Sequence, residues 1–153
     1  LLKHGIPIDS KFGGILQMRK GEILRFVELI HYAGSSLDPS EIFIRGKMTS
    51  VQNVVKNGEW KILANFREIP AACRAKAEEV GEKLKDAGLG EILLLGNISE
   101  PVCEITVDLN RAGIILIGGL NPVAAAQEAG IHSENCAMSV LLDYKKLVKI
   151  DEL

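Results

Sequence analysis

Two short stretches of this chain hold residue types that could do chemistry. In Gly118-Gly119-Leu120-Asn121-Pro122 a double glycine leads from an apolar run, Ala112–Ile117, into a helical pattern, Val123–Ala129. A helix start presents free backbone N–H groups and a partial positive charge, which suit an anion. Glycine lets backbone approach a ligand closely, and Pro122 keeps the preceding residue out of helical geometry. Asn121 is therefore predicted as the helix N-cap. Carboxylate or phosphate binding at Gly118, Gly119 and Asn121 is the functional reading. The alternative is that Asn121 only caps its helix and the glycines only make the turn. The second stretch, Asn65-Phe66-Arg67-Glu68-Ile69-Pro70, sets a fixed cation where a strand hands over to a helix. Arg67 there could clamp a carboxylate bidentately, or simply pair with a neighbouring acid. Cys73 follows in the first turns of that helix, a place that favours thiolate character unless the thiol is buried and inert.

Other catalytic signatures are missing from the sequence. There is no G-x-x-x-x-G-K-[ST] phosphate loop, no G-x-G-x-x-G after an apolar strand, no G-x-S-x-G elbow and no H-E-x-x-H pair. His4, His31 and His132 are scattered and read as surface or packed imidazoles. Glu100, Glu104 and Asp108 straddle Pro101, which disfavours one continuous helix facing them together. No catalytic residue, metal or cofactor is assigned.

The elements that must position these residues belong to a chain of 153 residues with 47% hydrophobic and 25% charged residues. That suits one domain with a proper core. A net charge of −2 leaves no electropositive footprint for a phosphate backbone, so this segment alone is not expected to grip DNA. Three widely spaced cysteines, 73, 103 and 136, fit reduced thiols in a cytoplasm, and no membrane span is expected. The opening Leu1-Leu2-Lys3-His4 reads as part of a longer polypeptide.

Ile15–Arg19, Ile23–Ala33 and Glu41–Met48 read as strands, and Asn57-Gly58 as a type I′ hairpin turn joining Val51–Lys56 to Trp60–Phe66. Pro70 to Lys85 is predicted as a helix with Ala77, Val80 and Leu84 buried and Lys76, Glu79, Glu82 and Lys83 wet. Glu91–Gly96 reads as a strand covered on both faces, Ala112–Ile117 as another, Cys136–Asp143 as a last one, and Tyr144–Leu153 as weakly amphipathic. The expectation is one mixed α/β (α+β) domain over residues 1–153. Its first half is hairpin-rich and antiparallel, and its sheet is mixed, with apolar strands open to parallel pairing beside the helices after Pro70 and Asn121.

Three strings carry a resemblance. Ala64-Asn65-Phe66-Arg67-Glu68-Ile69-Pro70, Gly118-Gly119-Leu120-Asn121-Pro122-Val123-Ala124-Ala125 and Glu128-Ala129-Gly130-Ile131 together resemble the regulatory domain of NrpR, the archaeal nitrogen repressor, over nearly the whole chain. The asparagine-proline block after the double glycine is the most specific part. The resemblance implies a non-catalytic sensory domain whose parent binds DNA through a winged-helix region absent from this chain. It also implies a homodimer, and repression of nitrogen-assimilation genes relieved by 2-oxoglutarate. A dicarboxylate effector needs paired cationic or N–H donors, which Arg67 and the Gly118–Asn121 turn would supply. Two further classes remain: an enzyme acting on a small anion, and a purely structural dimerisation module.

Overall fold

The computed structural model describes residues 1–135, 141, 143–146 and 148. The expected strand Cys136–Asp143 and the amphipathic tail lie largely outside the described residues. Within them, five strands form one sheet: β1 (Asp9–Arg19), β2 (Glu22–His31), β3 (Trp60–Pro70), β4 (Ile92–Ile98) and β5 (Arg111–Ile117). Four α-helices accompany it: α1 (Pro39–Arg45), α2 (Val51–Asn57), α3 (Arg74–Asp86) and α4 (Asn121–Glu128). The strand order is β2-β1-β3-β5-β4, and every neighbouring pair is antiparallel.

The mixed α+β class expected from the sequence is the class observed. The parallel pairing is not: β3 and β4 run in the same direction and are joined by a crossover that contains α3, but β5 lies between them and pairs antiparallel with both. Nor is β4 covered on both faces. It is an edge strand with half-buried and exposed positions, and its Leu94 and Ile98 are exposed.

Two further expectations give way between β2 and β3. Glu41–Met48 is not a strand but contains most of α1, opened by Pro39 in its first turn and by the Asp38 carboxylate accepting from Ser40 N at 2.8 Å. These are an N-cap and a first-turn proline, the usual start of a helix. Val51–Lys56 is likewise helical. Gly58 closes α2 in the left-handed region, at φ 69°, rather than turning a hairpin. A type I′ turn and an αL helix cap ask for the same positive φ, so Asn57-Gly58 satisfies either. Glycine is doubly required here, because a Cβ would fall 2.7 Å from Gly21 N, whose amide donates to Gly58 O at 2.9 Å.

The central strand β3 divides two environments. In register, Gly13 of β1 lies beside Asn65 and Ile15 beside Leu63, and Gly13 looks onto Pro39 of α1. The face carrying Leu63, Asn65 and Ile69 therefore supports the helices. Here Ile69, Ala112 and Ile114 join Ile6 and Ala77 of α3 in one buried cluster. Ala77 and Val80 are buried as the helical spacing requires, while Lys76, Glu79, Glu82 and Lys83 are exposed. On the opposite face Phe12 and Phe66 stack with ring centroids 4.9 Å apart, and Val102 of the β4–β5 connection belongs to the same core.

Candidate functional site

Of the sequence candidates, Asn121 has the most definite position. It is the first residue of α4 rather than its cap, and no side chain caps that helix. Ladder pairing between β3 and β5 ends at Ala64 and Ile117, which leaves the Leu63 peptide beyond it. The Asn121 carboxamide stands in for the Gly118 carbonyl as the partner of Leu63 N. Its Oδ1 accepts from Leu63 N at 2.9 Å, and its Nδ2 donates to Leu63 O and to Gly118 O, both at 2.9 Å. With 6% exposure and every polar atom engaged, the side chain is a clasp between β3 and α4. Gly118 serves the same junction. Its N–H donates to Leu63 O at 2.8 Å, and a Cβ would stand 2.6 Å from the Leu63 Cβ. Gly119, by contrast, is exposed with open space around it.

Arg67 lies four positions further along β3, on the same face by strand alternation. On that face Leu63 sits in the core around α1 and α4, and Ile69 in the core beneath α3; Asn65 and Arg67 fall between them. The Tyr32 hydroxyl donates to Asn65 Oδ1 at 2.7 Å. Burial raises the Tyr32 phenol above its ordinary pKa, as does the nearby Asp38 carboxylate, so the hydroxyl stays a donor at neutral pH. Arg67 Nη1 donates to Ser10 Oγ at 2.7 Å, while its Nε is shielded from solvent and has no hydrogen-bond partner among the described residues.

The acid next to Arg67 is not its partner. Glu68 points to the other face and is buried, with its Oε2 3.5 Å from Lys11 Nζ. Lys11 also reaches Asp9 at 3.0 Å and Asp108 at 3.1 Å. Hydrogen bonds to Asp9 and then Asp108 hold its ammonium well above the usual lysine pKa, and Lys11 in turn holds the Asp108 carboxyl low. This group ties the β4–β5 connection to the sheet. Cys73 sits at the far end of β3, in a single 3-10 turn, partly buried against the α3 core. The five candidates are thus distributed over three places along β3 and are not gathered into one.

One residue of importance at the α2–α4 contact was not singled out from the sequence. Glu128, at the end of α4, accepts from Thr49 Oγ1 at 2.7 Å, Val51 N at 2.8 Å and Gln52 N at 2.9 Å. It caps the start of α2 from another helix, where Ser50 makes no side-chain cap. Gln52 Nε2 donates back to Ala125 O at 2.8 Å. Sequence offers only the weak signal of an uncapped Thr49-Ser50 start.

A cavity of about 600 Å³ lies where α1 meets α4, lined by Glu41, Arg45, Gln127, His132 and Asn135 among others. Asn135 Nδ2 donates to Glu41 Oε1 at 3.0 Å across it. No group of three or more metal-ligating side chains occurs among the described residues, and no helix there is long and apolar enough to cross a membrane.

Comparison with known proteins agrees with this arrangement. The family model for NrpR regulatory domains NRD1 and 2 matches residues 1–149. The global nitrogen regulator NrpRI of Methanosarcina mazei is 38% identical over 150 residues, 98% of this chain and 46% of the relative. The global nitrogen regulator NrpR of Methanocaldococcus jannaschii is 34% identical over 152 residues, 99% of this chain and 26% of the relative. The chain thus spans less than half the length of these relatives. Among solved structures, a nitrogen repressor-like protein from Methanococcus jannaschii superposes with a TM-score of 0.74 at 34% identity, covering 90% of this chain and 56% of that one. A match over almost the whole length to a regulatory domain, in relatives that are nitrogen regulators, places this chain in the NrpR regulatory domain family and not among enzymes.

Proposed function

We propose that this chain is the effector-binding and oligomerising domain of a transcriptional repressor of nitrogen-assimilation genes, and that its effector is 2-oxoglutarate. DNA is contacted through a winged-helix region outside this chain, and the functional unit is a cytoplasmic homodimer. The observation that carries the effector reading is Arg67: a guanidinium with a shielded, unpaired Nε, held between two helix-covered cores beside the Tyr32–Asn65 hydrogen bond. An oxo-dicarboxylate supplies what is missing there. One carboxylate takes the guanidinium fork in place of Ser10, and the amide and phenol offer polar contacts to the remainder.

Gly118 and Asn121 enter this reading as positioning residues. Leu63, to which they are bound, is four residues from Arg67, about 13 Å at strand rise, and the Asn121 amide has no polar atom to spare. Gly119 and Cys73 are the candidates left for peripheral contact. Effector binding between the α1 and α3 layers would favour one arrangement of those layers, and repression is relieved if that arrangement binds DNA less well. Calorimetric titration with 2-oxoglutarate, against glutamate and glutamine, tests the reading. Saturable binding of 2-oxoglutarate alone supports it. A folded protein with no binding leaves the dimerisation-module reading instead.

A further inference from the structure

Asn65 stands two residues from Arg67 on the same face of β3, and its amide has a fixed orientation. The Tyr32 hydroxyl donates to Asn65 Oδ1 at 2.7 Å. Burial, and then the nearby Asp38 carboxylate, keep that phenol protonated at neutral pH, so the amide oxygen is always offered a donor. With the oxygen taken, Nδ2 is the end turned outward. It donates to no acceptor among the described residues, and because Asn65 is only half-buried its N–H groups stay open to a ligand.

Both side chains lean over β1. Arg67 lies opposite Ser10, whose hydroxyl its Nη1 reaches, and Asn65 lies opposite Gly13. Gly13 lets the phenol cross the strand, because a Cβ there would stand 3.3 Å from the Tyr32 hydroxyl and 2.9 Å from the Pro39 Cβ. The Tyr32 hydroxyl feels the charges of both Asp38 and Arg67. Asp38 is tied to the start of α1, where it accepts from Ser40 N at 2.8 Å. A carboxylate entering the junction is therefore drawn to the Arg67 side, away from Asp38, and the group bonded next to it meets Asn65.

We infer that this junction reads the 2-oxocarboxylate end of its ligand: Arg67 takes the carboxylate, and Asn65 Nδ2 donates to the adjacent oxo oxygen. Tyr32 is the positioning residue that holds the amide in this sense. The inference rests on the effector reading above, and specifies which end of the dicarboxylate docks and what recognises the oxo group. An oxo oxygen only accepts, and it meets an N–H that only donates. A methylene in its place leaves that donor unpaired. The ammonium of a 2-amino acid sets donors against donors and a positive charge beside the guanidinium.

Calorimetric titration with 2-oxoglutarate and with glutarate, which lacks only the oxo oxygen, tests it on the wild-type chain, Asn65→Ala and Tyr32→Phe, with circular dichroism confirming that each is folded. The wild type should prefer 2-oxoglutarate at least tenfold, the worth of one well-made hydrogen bond. Asn65→Ala should bring 2-oxoglutarate down to the affinity of glutarate and leave glutarate unchanged, and Tyr32→Phe, which frees the amide to turn, should fall between. A wild-type chain that binds neither acid would overturn the effector reading together with this inference. Saturable 2-oxoglutarate binding whose preference over glutarate persists in Asn65→Ala, or an equal loss of both acids in that variant, would overturn this inference alone.

Discussion

β3 carries two polar junctions, four residues apart on one face, and they are finished differently. At Leu63 the Asn121 amide and the Gly118 N–H complete the backbone bonding that the β5 ladder leaves open. At Arg67 a charged side chain is bonded at one end and unpaired at the other. A completed buried network contributes to stability, whereas an unpaired buried donor costs it and needs another reason to be there. The more conspicuous motif, the glycine-asparagine turn, is an architectural clasp, and the plainer one keeps the unpaired donor to which the effector is proposed to bind.

The largest expected effect breaks the clasp. Asn121→Ala leaves the Leu63 N–H without its acceptor in a buried place and should cost about 3 kcal/mol. For a chain of this size that is a fall in Tm of roughly 6–12 °C, read by calorimetry. Were Asn121→Ala as stable as wild type but unable to bind effector, the roles of the two junctions would be exchanged. Next in size is Arg67→Met, expected to change stability by less than about 1 kcal/mol while lowering 2-oxoglutarate affinity at least tenfold, about 1.4 kcal/mol. An intermediate case is Glu128→Ala, which uncaps α2 and should cost about 1 kcal/mol without altering effector affinity.

The smallest effect is electrostatic and draws on both faces, Lys11 on one and Tyr32 on the other. Lys11, raised by Asp9 and Asp108, and Tyr32, raised by burial, both hold their protons more tightly when folded than when unfolded. Their contribution is complete below the ordinary values of 10.5 and 10.0 and is lost as pH climbs above them. Denaturant unfolding from about pH 8 to about pH 11 should show falling stability, with a shallower fall in Lys11→Met. An equal slope in the variant would assign the alkaline loss elsewhere.

Much of this architecture was legible in the residues. β1, β2, β3, β5, α3 and α4 follow from alternation, glycine boundaries and the Ala77–Val80 stripe. Besides the pairing direction and the cover of β4, the errors lie at α1 and α2, each seven residues long. Helices that short gain little from propensity and form where tertiary contacts hold them, as Glu128 does for α2 from 76 to 79 residues away in sequence. Val54 and Val55 favour a strand locally, and Gly58 is as fit for a hairpin as for a helix cap. For the site, Arg67 and Asn121 could be picked out by type. That one is spent on Leu63 and the other is not is a matter of where β5 stops pairing, which no local pattern reports.

The most direct test of the central claim is calorimetric titration of 2-oxoglutarate into the wild-type chain and Arg67→Met, both verified as folded. Saturable binding to the wild type and affinity reduced at least tenfold in the variant are expected. Equal affinity in the two would contradict it, and would move the effector away from the junction on β3.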